Sequence, residues 1–227
     1  MTTQAKATTL TALGDDPSSV AVNDAALNNL ALAIAPGQPL PVPPRKQFRD
    51  RLCWAAAAQM VLRYRKFSEV KQCQLADVKF KNLKQPQQTP CCDQKPLPFL
   101  SNCDHGVDED EVVPIYDADP FHVQATFVPQ FLTFEQLEDA LYPKQPDKQA
   151  PVQVGILWNS SNPNEKHGHM VLVIGCYRDA AGTPWVFVND PLLDQTQPGQ
   201  VRYDDLKDNY KNGLAGPGQW ACSWFGF

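Results

Sequence analysis

The chain lacks any apolar run long enough to cross a bilayer, so no membrane span is expected. It lacks a long basic block, and its net charge of -5 argues against nucleic acid as a main partner. Its start, Met1-Thr2-Thr3-Gln4-Ala5-Lys6, has neither the charged opening nor the apolar run of a secretory signal peptide. Export by another route, a signal already removed and retention inside the cell all stay open. No internal repeat is present, which sets aside solenoids and arrays. Histidine is scarce: four residues, His105, His122, His167 and His169, are the candidates for a base near neutral pH.

Cysteine is plentiful by contrast, with seven in 227 residues. Cys73, Cys91, Cys92 and Cys103 crowd together, and Cys53 stands apart ahead of them. Setting Cys53 aside leaves an even number, whose pairing the sequence cannot choose. A bond between neighbours Cys91 and Cys92 would be strained, so each is expected to pair elsewhere. Cys176 and Cys222 either pair or stay as buried thiols. Such usage points to an oxidising compartment, hence a secreted or otherwise extracytoplasmic protein. Zinc held by the four crowded cysteines is an alternative, although C-x-x-C spacing is absent. The acidic run Asp108-Glu109-Asp110-Glu111 reads as a solvated face or helix start, because a divalent-metal site would need spaced ligands.

Residues 1–36 read as a flexible or propeptide-like extension, with a short amphipathic helix possible over 25–34. Residues 37–44 are dense in proline and read as an extended, semi-rigid linker. Residues 45–227 form the domain. Its helices come first. Asp50 is the expected N-cap of a helix running to about Lys66, with Cys53 in the first turn. Trp54, Ala57, Ala58, Val61 and Leu62 share one face. A second short helix is expected over 69–77, and an irregular, cross-linked region over 80–107. Thr133 and Gln136 match a capping box, Phe134, Leu137 and Leu141 mark a buried face, and Pro143 stops that helix. Strands follow at 152–158, 169–177 and 184–190, then 200–203 and 220–225, with a short helix over 204–210 between the last two. Helices followed by an antiparallel sheet make an α+β fold.

Cys53 carries the chemistry in this pattern. Unpaired N–H groups at a helix start favour thiolate over thiol, and the thiolate is the nucleophile. His169 opens the most apolar strand, and Asp190 closes its hairpin partner. In an antiparallel pair those two positions lie at one edge of the sheet. Asp190 can then orient His169 toward Cys53. His167 is the rival base. Asn189 is the rival orienter, although adjacent strand residues face opposite ways. His105 and His122 are expected to be solvated. The Cys53 N–H and the Gln47 amide are the candidate oxyanion donors, with Gln59 weaker because it lies inside the helix. Trp54 and Trp185 are expected in the core, where either could shield the triad.

The run Gln47…Cys53-Trp54-Ala55 resembles the papain-like cysteine peptidases, in which a glutamine precedes the catalytic Cys-Trp-Ala by this interval. Gly168-His169 and Val188-Asn189-Asp190-Pro191 are similar to a bacterial subset, the C39-like and AvrRpt2-like peptidases. These use Asp where papain uses Asn. The spacing of Cys73, Cys91-Cys92 and Cys103 and the tail from Tyr203 to Trp224 also resemble that subset. The resemblance covers about residues 45–227. It implies a helical half carrying Cys53, a sheet half carrying His169 and Asp190, Gln47 at the oxyanion hole, and no metal or organic cofactor. It also implies a protein or peptide substrate, a thioester intermediate and a monomer. Arg51-Leu52 stand where such relatives often carry Asn-Trp, which bears on substrate preference. Alternatives are another acyl transfer by the same triad (peptide maturation, deamidation or transpeptidation) and a non-catalytic, disulfide-stapled interaction module.

Overall fold

The computed structural model describes residues 34–67, 69–82, 90–93, 103–158, 168–213 and 217–227. The elements run α1 (Cys53–Tyr64), α2 (Gln72–Asn82), α3 (Val112–Asp117), β1 (Thr126–Val128), α4 (Phe134–Leu141), β2 (Val152–Trp158), β3 (Gly168–Arg178), β4 (Pro184–Asn189), β5 (Gly199–Arg202), α5 (Tyr203–Asp208) and β6 (Gly218–Phe225). The fold is α+β, as expected.

Every residue of α1 from Trp54 to Leu62 is buried, so the helix needs partners on more than one side. It packs on β3, on α2 and on α3. Four consecutive alanines, Ala55 to Ala58, keep its girth small enough for that enclosure. The six strands form one sheet in the order β1-β6-β2-β3-β4-β5, with every neighbouring pair antiparallel. β3 is buried from His169 through Cys176, which is why it reads as a continuous apolar run.

Several boundaries differ from expectation. The N-cap of α1 is Leu52, not Asp50, and no side chain caps the first turn. The chain turns through residues 48–51, where the Arg51 N–H is taken by Asp104 Oδ1 instead. α1 stops at Tyr64, and Lys66 turns the chain with a φ of 73°. α2 begins at Gln72, because the Lys71 N–H bonds to Gln74 Oε1 and sets the start there. α3 and the short strand β1 carry no sequence signal of their own. The acidic run is a helix start: Asp108 and Glu111 make a capping box over a single 3-10 turn, Glu109–Glu111, leading into α3. Thr133 and Gln136 make the expected box on α4. Asp190 lies one residue past β4, its N–H turned to Gln195 Oε1 rather than to the ladder.

Cys73 pairs with Cys92 and Cys91 with Cys103, which overturns the zinc alternative for these four. Cys176 and Cys222 are buried free thiols. They sit on β3 and β6, which β2 separates, so they are not opposed.

Residues 34–44 lie against the sheet. Ile34 exchanges two backbone hydrogen bonds with the Gln149 amide, and Gly37 and Leu40 donate to the Cys176 and Ile174 carbonyls of β3. Leu40 and Val42 are buried. The helix considered over 25–34 lies outside the described residues except for its last position. Among the described residues, no helix is long and apolar enough to cross a membrane.

Candidate active site

Cys53 is the first residue of α1 and is half-buried. The segment leading to it is held on both sides. Gln72 of α2 accepts from the Phe48 N–H and donates to the Lys46 carbonyl, at 2.8 and 2.9 Å. The Gln47 N–H donates to Pro191 O at 2.8 Å, which ties this segment to the loop after β4. From the disulfide-linked region, Asp104 takes the Arg51 N–H and the His105 carbonyl takes the Trp54 indole N–H, both at 2.8 Å.

His169 enters from the start of β3, opposite Ile156 of β2. Its Nε2 lies 2.7 Å from Asp190 Oδ1, and the two residues are only 4% and 2% exposed. Asp190 is fully engaged. Oδ1 also accepts from the Leu192 N–H at 2.8 Å, while Oδ2 accepts from the Tyr210 hydroxyl at 2.8 Å and from Asn212 Nδ2 at 3.1 Å. Trp158, the last residue of β2, stacks on the imidazole at a centroid distance of 5.7 Å.

Burial by itself pushes the His169 imidazole down. The hydrogen bond to Asp190 and the interaction with the Cys53 side chain outweigh it and raise the imidazole to about 9. Burial pushes the Asp190 carboxyl up, but the His169 hydrogen bond and charge, with the Leu192 and Tyr210 donors, hold it below its ordinary value. His169 thus interacts with both Cys53 and Asp190, which is the ordering nucleophile, base and orienter require.

The other candidates lie elsewhere. Asn189 donates to Val42 O at 2.8 Å and lies 3.6 Å from Met60 Sδ. It therefore faces away from the position Asp190 takes. Gln59 is committed inside the helical half, donating to Val70 O and accepting from Gln72. The Gln47 amide donates to the Arg49 and Asp50 carbonyls, at 2.8 and 2.7 Å, within the turn before Cys53. His105 and His122 are exposed. His167 lies outside the described residues. Trp54 is core, and Trp185 sits at the far end of β4, its indole donating to Asp179, so neither covers His169.

A cleft of ≈ 1030 Å³ opens at this point. Cys53, Trp54 and the loop from Gly106 to Asp110 form one wall; Ile156, Trp158, His169 and Cys222 belong to the other. A model of the Peptidase_C39 like family matches residues 39–220. The chain belongs to that family. No curated protein sequence matches it. Among solved structures it is similar to the Amb a 11 cysteine protease of ragweed pollen in its proform, at 15% identity and a TM-score of 0.46, over 81% of this chain and 61% of that one. It is also similar to the bromelain protease of Ananas comosus in complex with E64, at 12% identity and a TM-score of 0.40, over 81% of this chain and 92% of that one. The chain spans about three fifths of the length of the ragweed proform.

In this C39-like family member, four contributors to the site escaped the sequence. Trp158 showed only as a strand-ending aromatic. Tyr210 and Asn212 lie 20 and 22 residues beyond Asp190, and no periodicity relates them to it. Asp104 follows a disulfide cysteine and reads as loop.

Proposed function

We propose that the chain is a papain-like cysteine peptidase whose triad is Cys53, His169 and Asp190. The observation that carries this reading is the buried His169–Asp190 pair interacting with Cys53 at the uncapped start of α1. An uncapped first turn leaves backbone N–H groups without intrahelical partners, and these favour a thiolate and can receive an oxyanion. Cys53 as thiolate attacks a peptide carbonyl. Its own N–H and the Gln47 amide hold the oxyanion, for which that amide has to leave the Arg49 and Asp50 carbonyls. His169 protonates the departing amine, leaving a thioester on Cys53. Water deprotonated by His169 then releases the acid and restores the thiolate pair.

The cleft of ≈ 1030 Å³ between the two walls is the feature that supports cleavage within polypeptide chains. A protein or peptide is the assigned substrate, and the peptidase acts as a monomer. The two disulfides support work in an oxidising compartment, and secretion is the reading that fits.

The test is incubation of wild type and Cys53→Ala with a proteome-derived peptide library, read by mass spectrometry. New internal termini with wild type alone are expected. Equal termini from both proteins, or none from either, would sink the assignment. Ligated or deamidated products dependent on Cys53 would keep the triad and reassign the acceptor.

A further inference from the structure

Asp190 is held by more donors than the orienter of a catalytic base needs. The hydrogen bond to His169 uses Oδ1 alone, with the Leu192 N–H beside it. The second oxygen, Oδ2, is taken by two side chains from one short arm between α5 and β6: Tyr210 at 2.8 Å and Asn212 at 3.1 Å. The arm is itself pinned, since Tyr210 and Gly218 exchange both backbone hydrogen bonds at 2.8 and 2.9 Å. Tyr210 is 2% exposed. Its ring stacks on Trp158 at 6.1 Å, and Trp158 stacks on His169 at 5.7 Å. Tyr210 therefore reaches the pair by two routes, through a hydrogen bond to Asp190 and through a stacked indole to the imidazole.

We propose that Tyr210 is a positioning residue of the peptidase: with Asn212 it pins the outer carboxylate oxygen of Asp190, and so fixes the direction and the charge of His169. The proposal rests on the triad reading above and deepens it. A carboxylate held at one oxygen only can rotate about its χ2, which is a broad torsion, and the imidazole would follow. Donors on both oxygens remove that freedom. They also favour the charged carboxylate, since hydrogen bonds to the ionised form stabilise it. Burial and the Asp190 charge push the Tyr210 phenol well above its ordinary value, so it stays a donor wherever the enzyme works.

Each element packed around Asp190 contributes a known group. β3 supplies His169, the arm supplies Tyr210 and the neutral Asn212, and the loop after β4 supplies the Leu192 N–H. β2 supplies the uncharged Trp158, and α1 supplies Cys53, which faces His169. Losing the Tyr210 hydroxyl removes a donor from the charged carboxylate. Asp190 then takes a proton at higher pH, the imidazolium loses its counter-charge sooner, and the Cys53 thiolate loses its partner.

The experiment measures the rate of Cys53 alkylation by iodoacetamide against pH on the full chain, with the modified residue identified by mass spectrometry. This readout needs no knowledge of the substrate. Tyr210→Phe keeps the ring and the stack and removes only the hydroxyl. The expected result is a rate about tenfold lower at mildly acidic pH and a lower inflection moved up by about one pH unit. Turnover of any peptide cut by wild type should show a lower kcat with KM unchanged, because Tyr210 lies outside the cleft wall. Tyr203→Phe is the control. It also removes a buried tyrosine hydrogen bond, to Leu132 O at 2.6 Å, but away from the triad. Its pH profile should overlay wild type.

A Tyr210→Phe profile that overlays wild type, or a Tyr203→Phe profile that shifts as far, would overturn the proposal while leaving the triad standing. If Tyr210→Phe does not fold, Asn212→Ala decides: it removes the other donor to Oδ2, and the same shift at smaller size is expected. A wild-type Cys53 no more reactive than Cys176 and Cys222 would remove the triad reading itself, and this proposal with it.

Discussion

His169 holds its proton into the alkaline range because Asp190 and Cys53 together outweigh the cost of burial. A raised imidazole stabilises the folded state most fully below its ordinary value of 6.5, and that contribution fades as pH climbs through about 9. The lowered Asp190 carboxyl acts in the opposite sense, and its contribution is lost as pH falls through its folded-state value. Two outcomes follow. Wild-type peptidase activity should have an alkaline limb near pH 9, and chemical denaturation of wild type against His169→Ala should show the stability gap closing over the same interval. Asp190→Ala leaves the imidazole without its orienting acceptor and should lower kcat by about a hundredfold or more. Gln47→Ala should lower kcat by about 10²-fold with little change in KM, as for removal of one oxyanion donor. A Gln47→Ala enzyme that keeps wild-type kcat would show that its amide stays on the Arg49 and Asp50 carbonyls throughout the reaction. Burial pushes the thiols of Cys176 and Cys222 up to about 12, so neither competes with Cys53 for an alkylating agent near neutral pH.

Among the elements, α1 and β3 do most to build the site. α1 presents Cys53 at its start because the preceding turn is held from outside, by Asp104 and by Gln72, rather than by a cap of its own. β3 presents His169 at its start because the seven residues that follow, Met170 to Cys176, are anchored in the core. The packing of β3 on residues 34–44 leaves no room at Gly175. A Cβ there would sit 2.9 Å from Pro39 Cα and 2.9 Å from the Tyr142 hydroxyl. One of those neighbours is backbone and cannot swing aside. Gly175→Ala should therefore cost about 1–3 kcal/mol of stability, measured as a fall in the urea midpoint with an unchanged slope. A neutral result would mean that residues 37–44 separate easily from the sheet and behave as the linker their proline content suggests.

At the scale of the whole molecule, the cleft lies where a helical half and a sheet half meet, and the disulfides brace only the helical side. Cys73–Cys92 and Cys91–Cys103 tie α2 to the region that supplies Asp104, His105 and Gly106. These three hold the Arg51 N–H, the Trp54 indole and the Lys79 ammonium. Replacing Cys91 and Cys103 together by serine should cost about 3 kcal/mol, the scale for closing a loop of this size. It should also lower activity by loosening the wall beside Cys53, while near-ultraviolet circular dichroism from the sheet tryptophans persists. Full activity in that double variant would show that the wall forms without its cross-link. A strong reductant, helpful to most thiol enzymes, should act on this one in the same direction as the double variant.

The amino-acid sequence by itself determined the α+β order of elements and the positions of β2 to β6 to within a residue or two, and it singled out Cys53, His169 and Asp190 as the candidates for the proposed triad. These were legible because each depends on local physics: an apolar run of one period, a capping pair such as Thr133 and Gln136, a polar residue where a strand begins or ends. His169 and Asp190 could be linked before any coordinates because antiparallel pairing forces the start of β3 beside the end of β4. The tertiary structure decided what depends on groups distant in the chain. It replaced Asp50 by Asp104 as the acceptor at the turn before α1, placed Trp158 rather than Trp54 or Trp185 over the imidazole, and chose the cysteine partners. It also brought Tyr210 and Asn212 onto the free oxygen of Asp190. Hydrogen bonds and stacking act over a few ångströms of space and leave no period in the chain, so only the folded arrangement reveals which partners meet.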